Sequence, residues 1–208
     1  MRVTFSRKTK TVVSIAAVSF SLILAAVWCF LAFLTVNTIS TYDYTGYYGT
    51  KVVSFSSDAL KDTRVNGVAF FADNGDAREK ADAIDSVYKD VFVFVDKDSV
   101  RSESFSSFFE SASLYTTFCS EDREVLESLY KKNNYFTYIF FTSSSLKARV
   151  ASEMGYSCAV PYDMIDKDGV QTEHEKNHYY CVYGVDSSEQ YDACKDLKVD
   201  FVFVTDSY

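Results

Sequence analysis

Proline occurs once in 208 residues, at Pro161, and histidine only twice, at His174 and His178. The near-absence of proline excludes a proline-rich linker or a polyproline segment. With only two histidines, both late, acid–base chemistry by a histidine near the start of the chain is excluded. Glycine numbers seven, and no P-loop, G-x-G-x-x-G, H-E-x-x-H or G-x-S-x-G is present. No C-x-x-C pair suggests a zinc site. Positive charge is also scarce outside the first ten residues. Those hold Arg2, Arg7, Lys8 and Lys10 of the 21 Lys and Arg, which leaves 17 bases against 29 acids, a balance of −12. A body this acidic argues against nucleic acid, whose phosphates need cationic cover, and against lying flat on an anionic bilayer.

What the chain has instead begins with an uncharged run, TVVSIAAVSFSLILAAVWCFLAFLTV, at Thr11–Val36. About 20 apolar residues span a bilayer as a helix, and a cleaved signal would have an apolar region of only about 7–15 residues. Trp28 precedes Cys29 where a lipoprotein box wants a small residue. The four bases precede the run, so the N-terminus is expected in the cytoplasm and the body outside, a single-pass arrangement at the cell membrane. The expected organisation is a cytoplasmic basic tail at 1–10, a transmembrane helix at 11–36, a stalk at 37–50 and an extracytoplasmic domain at 51–208. In the stalk, Tyr42, Tyr44, Tyr47 and Tyr48 suit either the headgroup level or packing on the domain. The lipid bilayer is the partner expected through residues 11–36.

Beyond residue 50, apolar runs recur every 15 to 24 residues, beginning near Val52, Gly67, Val91, Tyr115, Tyr135, Tyr156, Tyr179 and Val199. Runs apolar at nearly every position suit strands buried on both faces, as in a parallel sheet. Between them lie helix-like segments at Asp76–Lys89, Ser104–Leu114, Glu121–Lys132, Ser144–Glu153 and Ser188–Leu197, with a turn at Asp168–Gly169 and a short helix after it. Eight strands alternating with helices predict a small α/β protein of the (β/α)8 TIM-like barrel type, with short loops and no helix after the last strand. The small chain keeps an open doubly wound parallel sheet as the alternative.

The last of these units, VYGVDSSEQYDACKDLKVDFVFVTDS, resembles the end of the glycerophosphodiester phosphodiesterase family. Tyr183–Gly184–Val185–Asp186 stands where that family has Trp-Thr-Val-Asn at the end of strand seven, and Thr205–Asp206 follows the eighth apolar run. GVQTEHEKNHYYCVYGV resembles the family's helix before strand seven, and FCSEDREVLESLYKKN its strand-four segment and helix. The likeness covers Tyr115–Ser207. It implies the barrel, and it implies Tyr183 and Asp186 as substrate-binding positions.

The family's catalytic set is not matched. The family carries His-Arg-Gly after strand one, Glu-x-Asp on strand two and Glu-x-Lys on strand three. Here those places read VVSFSS, GVAFFAD and VFVFVDKD. Asp96 and Lys97 are adjacent and so face opposite sides of a strand. His174 matches a non-catalytic position of the family and reads as a helix-surface residue.

In a barrel the chemistry sits at the C-terminal ends of the strands. Those positions form an acidic crown that includes Asp73, Asp96, Lys97, Glu121, Asp163, Asp186 and Asp206. Asp73, Asp96, Lys97 and Asp206 are the candidate catalytic residues, and Asp73 and Asp96 suit a divalent cation. The same residue types after a strand also cap the next helix, the reading favoured for any one of them. Three functions follow: a degenerate phosphodiesterase-like barrel that binds a cell-envelope ligand or has a structural role; an active hydrolase of phosphodiester or glycoside bonds; and a subunit recruited to a membrane-protein partner. Lack of catalysis is favoured. Cys119, Cys158, Cys181 and Cys194 read either as two disulfides in an oxidising compartment or as buried thiols.

Overall fold

The computed structural model describes residues 49–72 and 75–204. The uncharged run at 11–36 and the remainder of the tail, segment and stalk up to residue 48 lie outside them. Among the described residues no helix is long and apolar enough to cross a membrane.

Eight strands close into a parallel barrel in chain order: β1 (Lys51–Ser54), β2 (Gly67–Phe71), β3 (Asp90–Phe94), β4 (Thr116–Ser120), β5 (Thr137–Phe141), β6 (Ser157–Pro161), β7 (Tyr180–Tyr183) and β8 (Phe201–Val204). The open-sheet alternative is overturned by one pairing. β1 joins β8 in parallel, from Lys51 opposite Phe201 to Ser54 opposite Val204, so neither strand is an edge.

Helices α1 (Ala77–Asp85), α2 (Glu103–Ser111), α3 (Arg123–Lys132), α4 (Ser145–Glu153), α5 (Lys167–Glu175) and α6 (Ser188–Asp196) fill the crossovers from β2 onward. The β1–β2 connection holds only a single 3-10 turn, Ser57–Leu60. The short strand–helix–strand spacing allows no more. One expectation is corrected here. Asp168 and Gly169 lie in the first turn of α5 instead of in a turn before it, because Asp166 caps that helix by accepting the Gly169 N–H at 2.6 Å.

The strands explain themselves by two-residue periodicity. On β3, Val91 and Val93 pack outward with the helices, while Phe92 and Phe94 fill the barrel. β8 repeats the pattern with Val202 outward and Phe203 inward. Ala69, Cys119, Ala159 and Cys181 are small inward residues that leave room for Phe92 and Phe203, whose rings meet edge-on at 5.3 Å. Gly67 is required by the same packing. A Cβ there would stand 2.7 Å from Cε2 of Phe92. Outside β4, Phe105, Phe108 and Phe109 of α2 close on Phe118, and Phe109 and Phe118 also meet Phe136.

Candidate functional site

The mouth at the C-terminal ends of the strands is the site a barrel offers, and here rings occupy it. Phe94 of β3 meets Phe141 of β5 at 4.7 Å, and Phe141 meets Phe203 of β8 at 4.9 Å. Phe55, just after β1, lies 5.1 Å from Phe94 and 5.8 Å from Phe71. Tyr183, one of the two substrate-binding positions expected from the resemblance, lies 5.5 Å from Phe141. Phe94, Phe141 and Phe203 are buried beneath the half-buried Phe55 and Tyr183, whereas Phe71 is 57% exposed at the rim. Burial pushes the Tyr183 hydroxyl's pKa up, with Glu121 and Asp163 adding to the shift. These inward positions would carry ligand-facing groups in an open barrel; here the phenylalanines present carbon, and Tyr183 adds a single hydroxyl.

Asp96, Lys97, Ser120, Asp122, Thr142 and Ser187 of the crown hold the loops. Asp96 accepts through one oxygen, Oδ1, from the Ser99 N–H at 2.7 Å, the Ser99 Oγ–H at 2.7 Å and the Asp98 N–H at 3.1 Å. These bonds, led by the backbone N–H of Ser99, hold its pKa below the usual carboxylate value. Lys97 leaves the barrel axis and pairs with Asp122 at 2.9 Å and Glu124 at 3.2 Å at the start of α3. Hydrogen bonding to Asp122 and then Glu124 raises the Lys97 pKa. Asp122 is also the α3 cap, accepting from Glu124 N–H at 2.9 Å. Ser120 donates to the Val95 carbonyl at 2.7 Å and accepts from Asp122 N–H. Thr142 accepts from Ser144 N–H, and Ser187 caps α6. Asp186 lies beside that cap, and its backbone N–H donates to the Gln190 side chain at 2.9 Å.

Of the residues expected to act, the structure brings Asp96 and Lys97 into one groove of about 590 Å³, with Phe71 and Phe94 as part of its wall and Ser120, Glu121 and Asp122 opposite. Tyr183 and Asp186 do not line that groove. Asp73 and Asp206 lie outside the described residues. Among the described residues no three His, Cys, Asp or Glu side chains converge as metal ligands would.

The opposite end of the barrel holds a polar arrangement that sequence reasoning missed. His174 is no helix-surface residue. Its side chain is 13% exposed and Nε2 lies 2.8 Å from Oδ2 of the buried Asp200. The same Oδ2 accepts the backbone N–H of Tyr180 at 2.8 Å. His178 and the buried Glu173 form a second pair at 3.3 Å. Asp200 ends the turn Leu197–Lys198–Val199, just ahead of an apolar strand, which is where a buried carboxylate is least readable from pattern. A cavity of about 500 Å³ opens beside it, lined by Lys51, Asn134, Ser157, His178 and Tyr179.

A closed parallel barrel whose chemistry-bearing end is plugged by aromatic rings is the class that fold and site define. No protein-family model matches the sequence, and no curated protein matches it. Solved structures do match the fold. A protein of Galdieria sulphuraria, described as a candidate glycerophosphodiester phosphodiesterase, superposes with a TM-score of 0.52 at 18% identity. That match covers 61% of this chain and 58% of the other, so this chain spans less than two thirds of its length. A glycerol uptake operon antiterminator-related protein from Thermotoga maritima superposes with a TM-score of 0.51 at 11% identity, over 76% of this chain and 94% of that one. At such identities the likeness is of fold, and the same fold is shared by proteins with different descriptions.

Proposed function

We propose that this chain is a membrane-anchored, extracytoplasmic (β/α)8 domain, related in fold to glycerophosphodiester phosphodiesterases but without their hydrolysis, that acts as a binding or structural module at the cell envelope. The observation that carries the reading is the aromatic closure of the mouth by Phe55, Phe94, Phe141, Tyr183 and Phe203. Hydrolysis of a phosphodiester needs cationic or metal help for the phosphate and an acid to protonate the leaving oxygen. The mouth offers the phosphate a carbon floor. Lys97, the cation lining the groove, is neutralised by two carboxylates, and Asp96 already accepts three hydrogen bonds. The anchoring part rests on the uncharged run at Thr11–Val36 and the four bases before it.

The test is turnover by purified full-length protein. Glycerophosphocholine and glycerophosphoglycerol, each with calcium or magnesium, are expected to release no glycerol phosphate above the buffer rate. Release that disappears on Asp96→Asn would establish the active-hydrolase reading instead.

A further inference from the structure

The groove at the mouth joins an aromatic wall to an acidic one. Phe71 stands on the barrel-facing side of β2, in step with Ala69, and its ring lies 5.4 Å from that of Phe94. It is the most exposed ring of the mouth. On the other wall Asp96, Asp98, Glu121 and Asp122 face the groove with a single base, Lys97. Internal pairing does not remove this imbalance. Lys97 is shared between Asp122 and Glu124, so the three together keep a negative charge. Asp98 reaches Arg101 only at 3.8 Å. Asp96 is held by neutral donors, from Ser99 and the Asp98 N–H, and these leave its charge in place. Among the described residues the Glu121 side chain makes no hydrogen bond or ion pair. Capping accounts for Asp122 and loop bracing for Asp96. The dipole of α3 favours an acid at Glu121, but it does not account for the exposed aromatic wall opposite. The acids also act on the centre of the mouth, where Glu121 and Asp163 add to the upward shift that burial gives the Tyr183 hydroxyl. Elsewhere the chain covers rings with its own cations. Nζ of Lys51 lies 5.6 Å from the Phe201 ring, and Nζ of Lys80 5.6 Å from Phe70. Among the described residues no lysine or arginine lies over Phe71 or Phe94.

We infer that this groove binds a small organic cation, an ammonium group carried on an apolar or aromatic body. The inference rests on the binding reading given above and names the class of ligand. The ammonium lies against Phe71, whose ring quadrupole attracts a cation, with the carboxylates of Glu121 and Asp96 on its other side. The apolar body covers Phe71 and Phe94, which no side chain of the groove's acidic wall can do without burying charge. The volume of about 590 Å³ is that of a small-molecule site. The same acids repel a phosphate or carboxylate ligand. The loss of cationic help that disables phosphodiester hydrolysis is therefore what suits the groove to a ligand of opposite charge.

The experiment is equilibrium dialysis of full-length protein in a nonionic detergent, with protein-free micelles as the blank. The probes are benzyltrimethylammonium, benzyl alcohol as its neutral counterpart and benzoate as its anionic one. The ammonium is expected to bind at least about threefold more tightly than either, and to weaken as sodium chloride is raised. Glu121→Gln and Phe71→Ala are each expected to weaken it about two- to fivefold, the effect of one exposed cation–ring contact. Both residues are exposed, so both variants are expected to fold, which circular dichroism checks. Benzyl alcohol bound as tightly as the ammonium would make the groove merely apolar. Binding that neither variant changes would place the site elsewhere, and retention no greater than the blank would mean no site at all. Each of these results overturns the inference and leaves the non-hydrolytic reading standing. The same preparation is assayed with glycerophosphocholine. Release of glycerol phosphate would overturn that reading, and the inference with it.

Discussion

Phe94 and Phe141 meet edge to face at 4.7 Å across the mouth of the barrel, where a (β/α)8 enzyme would hold its substrate. The contact joins strands that are not neighbours, and Phe203 and Phe55 complete it. The plug is thus part of the core.

Phe94→Ala is accordingly expected to cost about 3–5 kcal/mol, the usual range for truncating a buried phenylalanine. Phe71→Ala, at the exposed rim, is expected to cost less than about 1 kcal/mol. Denaturant midpoints measure both. Equal, small effects would mean that the mouth is open and the rings mobile.

Asp96 supports its loop best as a carboxylate, the form that its hydrogen bonds favour. Its pKa is lowered in the folded chain, so its contribution is present above the ordinary aspartate value of about 4 and is lost as pH falls through the folded value. The residue is exposed, so the effect is small. Asp96→Ala should destabilise by about 1 kcal/mol at pH 7, and the gap to wild type should shrink in urea titrations below about pH 4. A gap that widens in acid would contradict this role.

Asp200 binds His174 and the Tyr180 N–H through one oxygen, tying β7 and β8 to α5. Asp200→Ala leaves a buried N–H unmatched and is expected to cost about 1–3 kcal/mol. Asp200→Asn, which keeps an acceptor, should cost less. Thermal unfolding of the three proteins ranks them.

The four cysteines of the barrel are free and buried. Burial pushes the Cys158 thiol up to about 12 and Cys194 to about 11. In a Cys29→Ser background the native protein should therefore give almost no reaction with a disulfide reagent at pH 8, and four thiols once unfolded in guanidinium. Fewer than four would show a disulfide.

Much of the barrel was legible along the chain. The eight apolar runs fall on the eight strands, most starting one or two residues later than their first apolar residue, because strand starts are fixed by pairing. The helix-like segments beginning at Glu121, Ser144 and Ser188 start within two residues of the helices, whose caps Asp122, Ser144 and Ser187 act locally. The crown was legible as a set of positions, but its use was not. Asp96 serves the Ser99 turn and Lys97 serves α3 because the loop folds back after β3, and the strand pattern stops short of that loop.

The sequence by itself determined where strands and helices lie, that phenylalanine and valine occupy opposite faces of β3 and β8, and that one uncharged segment precedes them. All are properties of neighbours a few residues apart. Only the tertiary structure decided that the sheet closes, since Lys51 pairs with Phe201 across 149 intervening positions and depends on the summed twist and register of every strand between. The same closure turned the phenylalanine faces inward to fill the mouth, buried His174 against Asp200, and set Phe71 in one groove with Glu121. Each of these joins residues far apart in sequence, and distance along a chain carries no information about distance in space until the chain has closed on itself.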